Sequence, residues 1–275
     1  MLSRFFGGSL VALGLLAFAP MTVHAGPGGG PPGGDDTVGL YSEAAGAFFL
    51  TNTNDFGPAS SAFGYGASSV GFVAVAGDWS GTNVSGVGLY DPATGTFFLR
   101  STPDAGISDF TFTFGAGGSA VPLSGDWNGD GGHSIGIYDP STGTFFLKNS
   151  PGSGGADATF TFGPGGESWI PVAGDWNGDG TDSVGLLDPV TSTFFIKNVA
   201  EAGPADETFG FGAPGNAFSP IAGNWDNLGG DGIGLYDAAT GTYRLRNSLT
   251  PGLADAKFTF GAGGGQAITG DWDGN

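Results

Sequence analysis

The chain has 275 residues, with 57 glycines, 24 phenylalanines and no cysteine, and its 7 basic against 26 acidic residues leave a formal charge of −19. Disulfides and sulfur redox chemistry are excluded. So negative a chain is repelled by nucleic acid and by anionic lipid surfaces, both of which bind through clustered cations; the composition favours short strands and tight turns over long helices.

The N-terminus places Arg4 before an apolar run from Leu10 to Ala19 and a small-residue end at Val23-His24-Ala25. This is the pattern of a secretory signal peptide over residues 1–25. Its apolar run is shorter than the roughly 20 residues that a spanning helix needs. The expectation is a secreted, periplasmic or extracellular protein without membrane insertion. Residues 26–34 (GPGGGPPGG) read as a flexible lead, because glycine carries a large backbone entropy and proline lacks a donor. Residues 35–275 then form one repeat-built domain.

A GDW or GNW tripeptide recurs with its tryptophan at Trp79, Trp127, Trp176, Trp225 and Trp272, at intervals of 48, 49, 49 and 47 residues. Fixed self-similarity of this length marks one structural unit per interval. An apolar-Gly-apolar strand ends at Tyr41, Tyr90, Tyr138, Leu187 and Tyr236, and an aromatic pair begins at Phe48, Phe97, Phe145, Phe194 and Tyr243. An aromatic-Gly pair closes each unit, from Tyr65-Gly66 to Phe260-Gly261. One unit reads as four strands: Ile170 to Trp176, Ser183 to Leu187, Thr193 to Lys197 and Glu207 to Phe211, with turn-forming residues between them. Successive side chains of a strand point to opposite faces, so a Phe-Phe pair demands cover on both. Four-stranded sheets covered on both faces and repeated every 40 to 50 residues or so describe propeller blades.

The termini select a closed ring. The first unit starts at its second strand, Asp36-Thr37-Val38-Gly39-Leu40-Tyr41, while the chain ends on a surplus first strand, Ala267 to Trp272, followed by Asp273-Gly274-Asn275. Joined in space, DWDGN and DDTVGLY reproduce the internal loop DWNGDGTDSVGLL. The expected fold is therefore an all-β, five-bladed β-propeller of four-stranded antiparallel blades, closed by a C-terminal strand that completes the N-terminal blade and removes exposed edges.

The loops between first and second strands carry metal-ligand spacing. Asp175, Asn177 and Asp179 stand at positions 1, 3 and 5, followed by Gly180, Thr181 and Asp182. A second loop offers Asp126, Asn128 and Asp130, then Gly131, Gly132 and His133; the split loop offers Asp271, Asp273 and Asn275, with Asp36 arriving from the other terminus. A hard cation such as calcium needs several oxygens converging from a tight curve. Two loops depart from the pattern, with Asp78, Ser80 and Thr82 in one and Asn224, Asp226 and Leu228 in the other. Calcium in at least one loop is the first reading. The second is that these side chains bond their own backbone as Asx-turns.

With its strand-DxNxDG-strand unit and FG(A/P) segments, residues 34–275 resemble the FG-GAP or VCBS-type repeats of integrin alpha-subunit-like propellers. The resemblance implies calcium in the loop and a further carboxylate at position 9, where this chain has Ser134 and Ser183 and carries Asp182 one position earlier.

Other recurring charges read as structural. Asp91, Asp139, Asp188 and Asp237 follow the second strand as turn formers. Arg100, Lys148, Lys197 and Arg246 form a basic ring, with Asp109, Asp157, Asp206 and Asp255 before the fourth strand; pairing within or between blades is the first reading and a ligand-reading ring the second. The repeated tryptophans suit blade packing ahead of sugar stacking, and Trp169, present in one unit only, is the aromatic expected at the surface.

Glycoside hydrolysis needs one asymmetric carboxylate pair, whereas these acids recur in every unit, and His24 and His133 supply no triad. The expected function is a non-enzymatic binding or interaction module, a monomeric ring taking a protein or glycan ligand. A multivalent lectin-like ring is the alternative, since linked weak sites gain avidity, and a glycosidase ranks third.

Overall fold

The computed structural model describes residues 36–274; the expected signal peptide over residues 1–25, the expected flexible lead over 26–34, and Asn275 lie outside the described residues. Blade 1 holds β1 (Thr37–Ser42), β2 (Ala47–Leu50) and β3 (Ser61–Gly64). Blade 2 is β4 (Val73–Gly77), β5 (Gly86–Asp91), β6 (Thr96–Arg100) and β7 (Phe110–Thr113). Blade 3 is β8 (Val121–Gly125), β9 (Ser134–Asp139), β10 (Thr144–Leu147) and β11 (Ala158–Thr161). Blade 4 is β12 (Ile170–Gly174), β13 (Ser183–Asp188), β14 (Thr193–Ile196) and β15 (Glu207–Gly210). Blade 5 is β16 (Phe218–Gly223), β17 (Gly232–Asp237), β18 (Thr242–Arg246) and β19 (Ala256–Thr259), and the last strand, β20 (Gln266–Gly270), returns to blade 1. The strands of blade 4 match the sequence reading to within two residues.

Each blade is an antiparallel sheet of four strands, and blade 1 has the order β20-β1-β2-β3. Thr37 lies opposite Gly270 and Tyr41 opposite Gln266, the register in which Ser183 lies opposite Gly174 and Leu187 opposite Ile170. The closing strand thus occupies the place of an ordinary first strand. The innermost strands touch in a closed circuit, β4 to β8 to β12 to β16 to β20 and back to β4. The protein is a five-bladed β-propeller around an axial channel.

Burial follows from the two-sided strands. Phe48, Phe97, Phe145 and Phe194, the first ring of each pair, are fully buried, as are Tyr41, Tyr90, Tyr138 and Tyr236. Phe145 joins Phe160 and Phe162 of its own blade to Val184 and Leu186 of blade 4. The second ring faces the opposite way: Phe146 packs on the cluster of Tyr90 and Phe97 from blade 2. Burying one such side chain stabilises by about 1.5–3 kcal/mol, and each does so across a blade boundary. Glycine in the second strand leaves room for side chains of the two flanking strands of its own blade: a Cβ on Gly88 would lie 2.6 Å from Leu99 and 2.8 Å from Val75.

The turn aspartates behave as expected. Asp139 accepts the backbone N–H and hydroxyl of Ser141 and the hydroxyl of Thr142, which holds its carboxyl below the usual range. Asp91, Asp188 and Asp237 repeat the arrangement. Trp169 differs from expectation. It is partly buried and stacks on Phe195 with centroids 4.6 Å apart, because the next residue enters β12 and brings the indole over the second ring of the same blade.

Candidate functional site

In an antiparallel blade the connection from first to second strand and that from third to fourth emerge at the same end. All the Asp-rich loops therefore gather at one mouth of the channel, around a cavity of about 530 Å³. Asp126 shows how such a loop is held. Its Oδ1 accepts N–H groups from Asn128, Gly129 and Asp130 at 3.4, 2.8 and 3.2 Å, and its Oδ2 accepts that of Gly131 at 2.7 Å. Asp175 does the same for Gly178, Asp179 and Gly180. Gly180 has φ +85°, a left-handed conformation that glycine adopts without steric cost.

The odd-numbered ligand positions are likewise engaged. Asn128 donates to Asp130 at 3.0 Å and Asn177 to Asp179 at 2.9 Å; Asp130 also accepts the Gly132 N–H and Asp179 the Thr181 N–H. The amide of Asn128, then the Gly132 N–H, lower the Asp130 pKa. In the split loop Asp271 accepts from Asp273 and Gly274, while Asn275 is not described. The donor set of the Asp126 and Asp175 loops is hard oxygen throughout and suits calcium, and the turn's own N–H groups use the same oxygens. Among the described residues no three His, Asp or Glu groups gather closely enough to hold a metal ion.

The residue at position 8 has another role. Asp182 reaches across to blade 3, where its Oδ2 accepts the Asp126 N–H at 2.6 Å while its own N–H donates to the Asp126 carbonyl at 2.8 Å. Asp231 makes the same reciprocal pair with Asp175, and Asp36 with Asn224. Ser85 pairs with Asp271, its hydroxyl accepting at 3.1 Å. His133 donates its backbone N–H to the Asp78 carbonyl at 2.8 Å. Five latches therefore join every blade to its neighbour. Asp182 and Asp36, expected as ligands of their own loops, are turned to the adjacent blade instead.

The glycine of GDW makes room for the latch. A Cβ on Gly174 would lie 2.8 Å from Asp231 Oδ2, and one on Gly77 would lie 2.7 Å from His133 Nδ1.

Latch residues differ from blade to blade: Ser85, His133, Asp182, Asp231, Asp36. Three carboxylates and one imidazole therefore face one mouth. Burial pushes Asp36 up to about 6, against the Asn224 N–H and His133, with the charges of Asp182 and Asp271 adding to the rise. Burial also raises Asp182, opposed by His133, whose Nε2 stands 3.8 Å from Asp182 Oδ2. Asp231 is raised well above the ordinary value by burial, then by the charges of Asp36 and Asp182. Ser85, His133 and Asp231 escape a repeat-based reading, because their position varies and their partners lie in another unit.

The basic ring does not neutralise this mouth. Arg100 donates to the carbonyls of Asp104 and Ile107, Lys148 to that of Gly155, and Arg246 to those of Thr250, Pro251 and Leu253, all within their own loops. Lys197 pairs with Asp206 at 3.2 Å. Asp109, Asp157, Asp206 and Asp255 each accept one backbone N–H at the start of the same loop. The five repeated tryptophans are buried, with Trp79 and Trp225 donating to the carbonyls of Val87 and Ile233; they are packing groups rather than open stacking platforms. No family of known proteins, no curated protein and no solved structure matches this chain, so its placement as a five-bladed propeller of internal repeats rests on its own strand order and register.

Proposed function

We propose that this chain is an exported, non-enzymatic binding module, a propeller of FG-GAP or VCBS type, whose acidic mouth takes positively charged ligands, calcium first among them. The supporting observation is the convergence of Asp36, Asp182 and Asp231 from three blades on one cavity, faced by His133 while the lysines and arginines of that end are turned into their own loops. Carboxylates that already accept N–H groups across blade boundaries suit static recognition better than nucleophilic or acid-base turnover. Asp126, Asn128 and Asp130, with Asp175, Asn177 and Asp179, would hold calcium, which would supply charge neutralisation and rigid loops. A partner protein or glycan would then meet a calcium-stiffened rim.

Calorimetric titration with calcium after chelation, alongside thermal melting, tests this reading. Saturable binding with a rise in Tm, as mass action requires of a ligand bound by the native state, and its loss in Asp130→Ala/Asp179→Ala, are expected. Absence of both heat and Tm change at millimolar calcium, with a lysine-rich peptide equally silent, would overturn it.

A further inference from the structure

Six of the chain's basic residues lie in the described region, and four of them cap their own loops. The other two are placed together. Arg244 on β18 and Lys257 on β19 are direct cross-strand partners in blade 5. Like charges directly opposite one another destabilise an antiparallel pair, so this placement opposes folding unless something else offsets it. No anion among the described residues does: neither side chain makes a hydrogen bond or an ion pair, Arg244 Nη1 is buried without an acceptor, and the offset the structure gives is an aromatic ring. Phe218 lies under the guanidinium, its ring centroid 4.9 Å from Cζ, and a cation over a ring face is held there electrostatically.

The pair belongs to blade 5 alone. The corresponding partners are Phe49 and Ala62, Phe98 and Thr111, Phe146 and Thr159, and Phe195 and Thr208. Arg244 is opposite Leu235, which packs with Phe209 and Phe211 of blade 4, so the two cations face the boundary between blades 4 and 5, with Lys257 on the outermost strand. Arg246, two residues along on the same face, spends its guanidinium on Thr250, Pro251 and Leu253 and leaves the neighbouring charge free.

We propose that Arg244 and Lys257 form an oxyanion site at this outer boundary, taking a carboxylate or phosphate group of a ligand. With Nη1 buried, the Nε and Nη2 edge of the planar guanidinium carries two parallel N–H donors that match two oxygens of such a group, and the ammonium adds a point charge beside them. The site is separate from the acidic mouth and does not depend on its function. The overall negative charge does not forbid it, since at physiological salt exposed charges are largely screened beyond about 8 Å.

NMR of the arginine Nε–H signals, with inorganic phosphate and glucuronate as separate probes and sodium chloride at equal ionic strength as control, tests the site. Arg244→Phe/Lys257→Thr restores the residues that other blades carry and so preserves the fold. A saturable shift of the Arg244 signal with either oxyanion, weakened several-fold between 50 and 200 mM salt as an order-of-magnitude expectation, together with an oxyanion-dependent rise in Tm that the double variant loses, would support the proposal; which probe acts tells phosphate from carboxylate. Arg244→Lys, keeping the charge without the fork, should bind several-fold more weakly. No shift with either oxyanion, a shift that chloride reproduces, or an oxyanion-dependent rise in Tm that the double variant retains in full would overturn it.

Discussion

The carboxylate of Asp36 accepts the backbone N–H of Asn224 at 2.9 Å, and the Asp36 N–H returns to the Asn224 carbonyl at 3.4 Å. Residues 188 positions apart thereby join the first described blade to the last. The bond is made at an electrostatic cost, because Asp36 shares the mouth with Asp182 and Asp231, and that tension has measurable consequences.

Stability should rise as pH falls from 7.5 to about 5. Asp36, Asp182 and Asp231 have folded-state pKa values above their unfolded ones, so the native state binds more protons in this window and protonation favours it. For Asp36 the window runs from about 6 down to 3.8. A gain of order 1–3 kcal/mol corresponds to several degrees of Tm for a ring of this size. Below that window the lowered carboxyls of Asp130, Asp139 and Asp206 reverse the trend. Melting curves from pH 4 to 8 check it; a Tm that falls steadily from pH 7.5 to 5 would contradict it.

Asp182→Asn and Asp182→Ala should separate the latch from its charge. The amide can still accept the Asp126 N–H and no longer repels Asp36 and Asp231, so at pH 7.5 this variant should match or exceed the parent in stability. Alanine orphans a partly buried N–H, which costs about 1–3 kcal/mol. Urea titration of the pair reads the difference, and equal losses would show that the latch contributes nothing.

Gly174→Ala should destabilise by about 1–3 kcal/mol through overpacking, since the added methyl would meet Asp231 Oδ2 at 2.8 Å and the Trp176 ring at 3.1 Å. Combining it with Asp231→Gly should recover the part of the loss that comes from that contact. A double-mutant cycle with no coupling would place the role of this glycine elsewhere.

Gln266 distinguishes the closing strand from the other four. Its side chain accepts the Ala74 N–H at 2.9 Å and donates to the Phe72 carbonyl at 2.7 Å, the two bonds that a backbone strand would make, where blades 2, 3 and 4 carry Val73, Val121 and Ile170. Thr269 adds a bond to the Ala222 carbonyl of blade 5 at 2.7 Å. Gln266→Ala should cost about 1–3 kcal/mol and appear as faster hydrogen exchange at Ala74.

Much of the fold is legible in the sequence because a blade is local: GDW, the Tyr-ended strand and the Phe pair recur with one period, and the fragments at Asp36 and Trp272 fit one another. Calcium spacing is equally local. The latch is not, because Asp182 and Asp36 act on the loop of the adjacent blade, and distance along the chain conceals that Asp231, His133 and Ser85 occupy the same ring. Arg244 and Lys257 become neighbours only through strand register. Phe195 under Trp169 likewise belongs to contacts that a periodic pattern does not encode.

Closure by the C-terminal strand is tested most directly by deleting Gly265 to Asn275 and supplying those residues as a synthetic peptide. The truncated ring should lose its cooperative melting transition or aggregate, its β1 edge and the Ser85 and Ala74 N–H groups being left without partners, and the peptide should restore a single transition near that of the intact chain. A truncated protein that melts like the parent and ignores the peptide would contradict the closed ring.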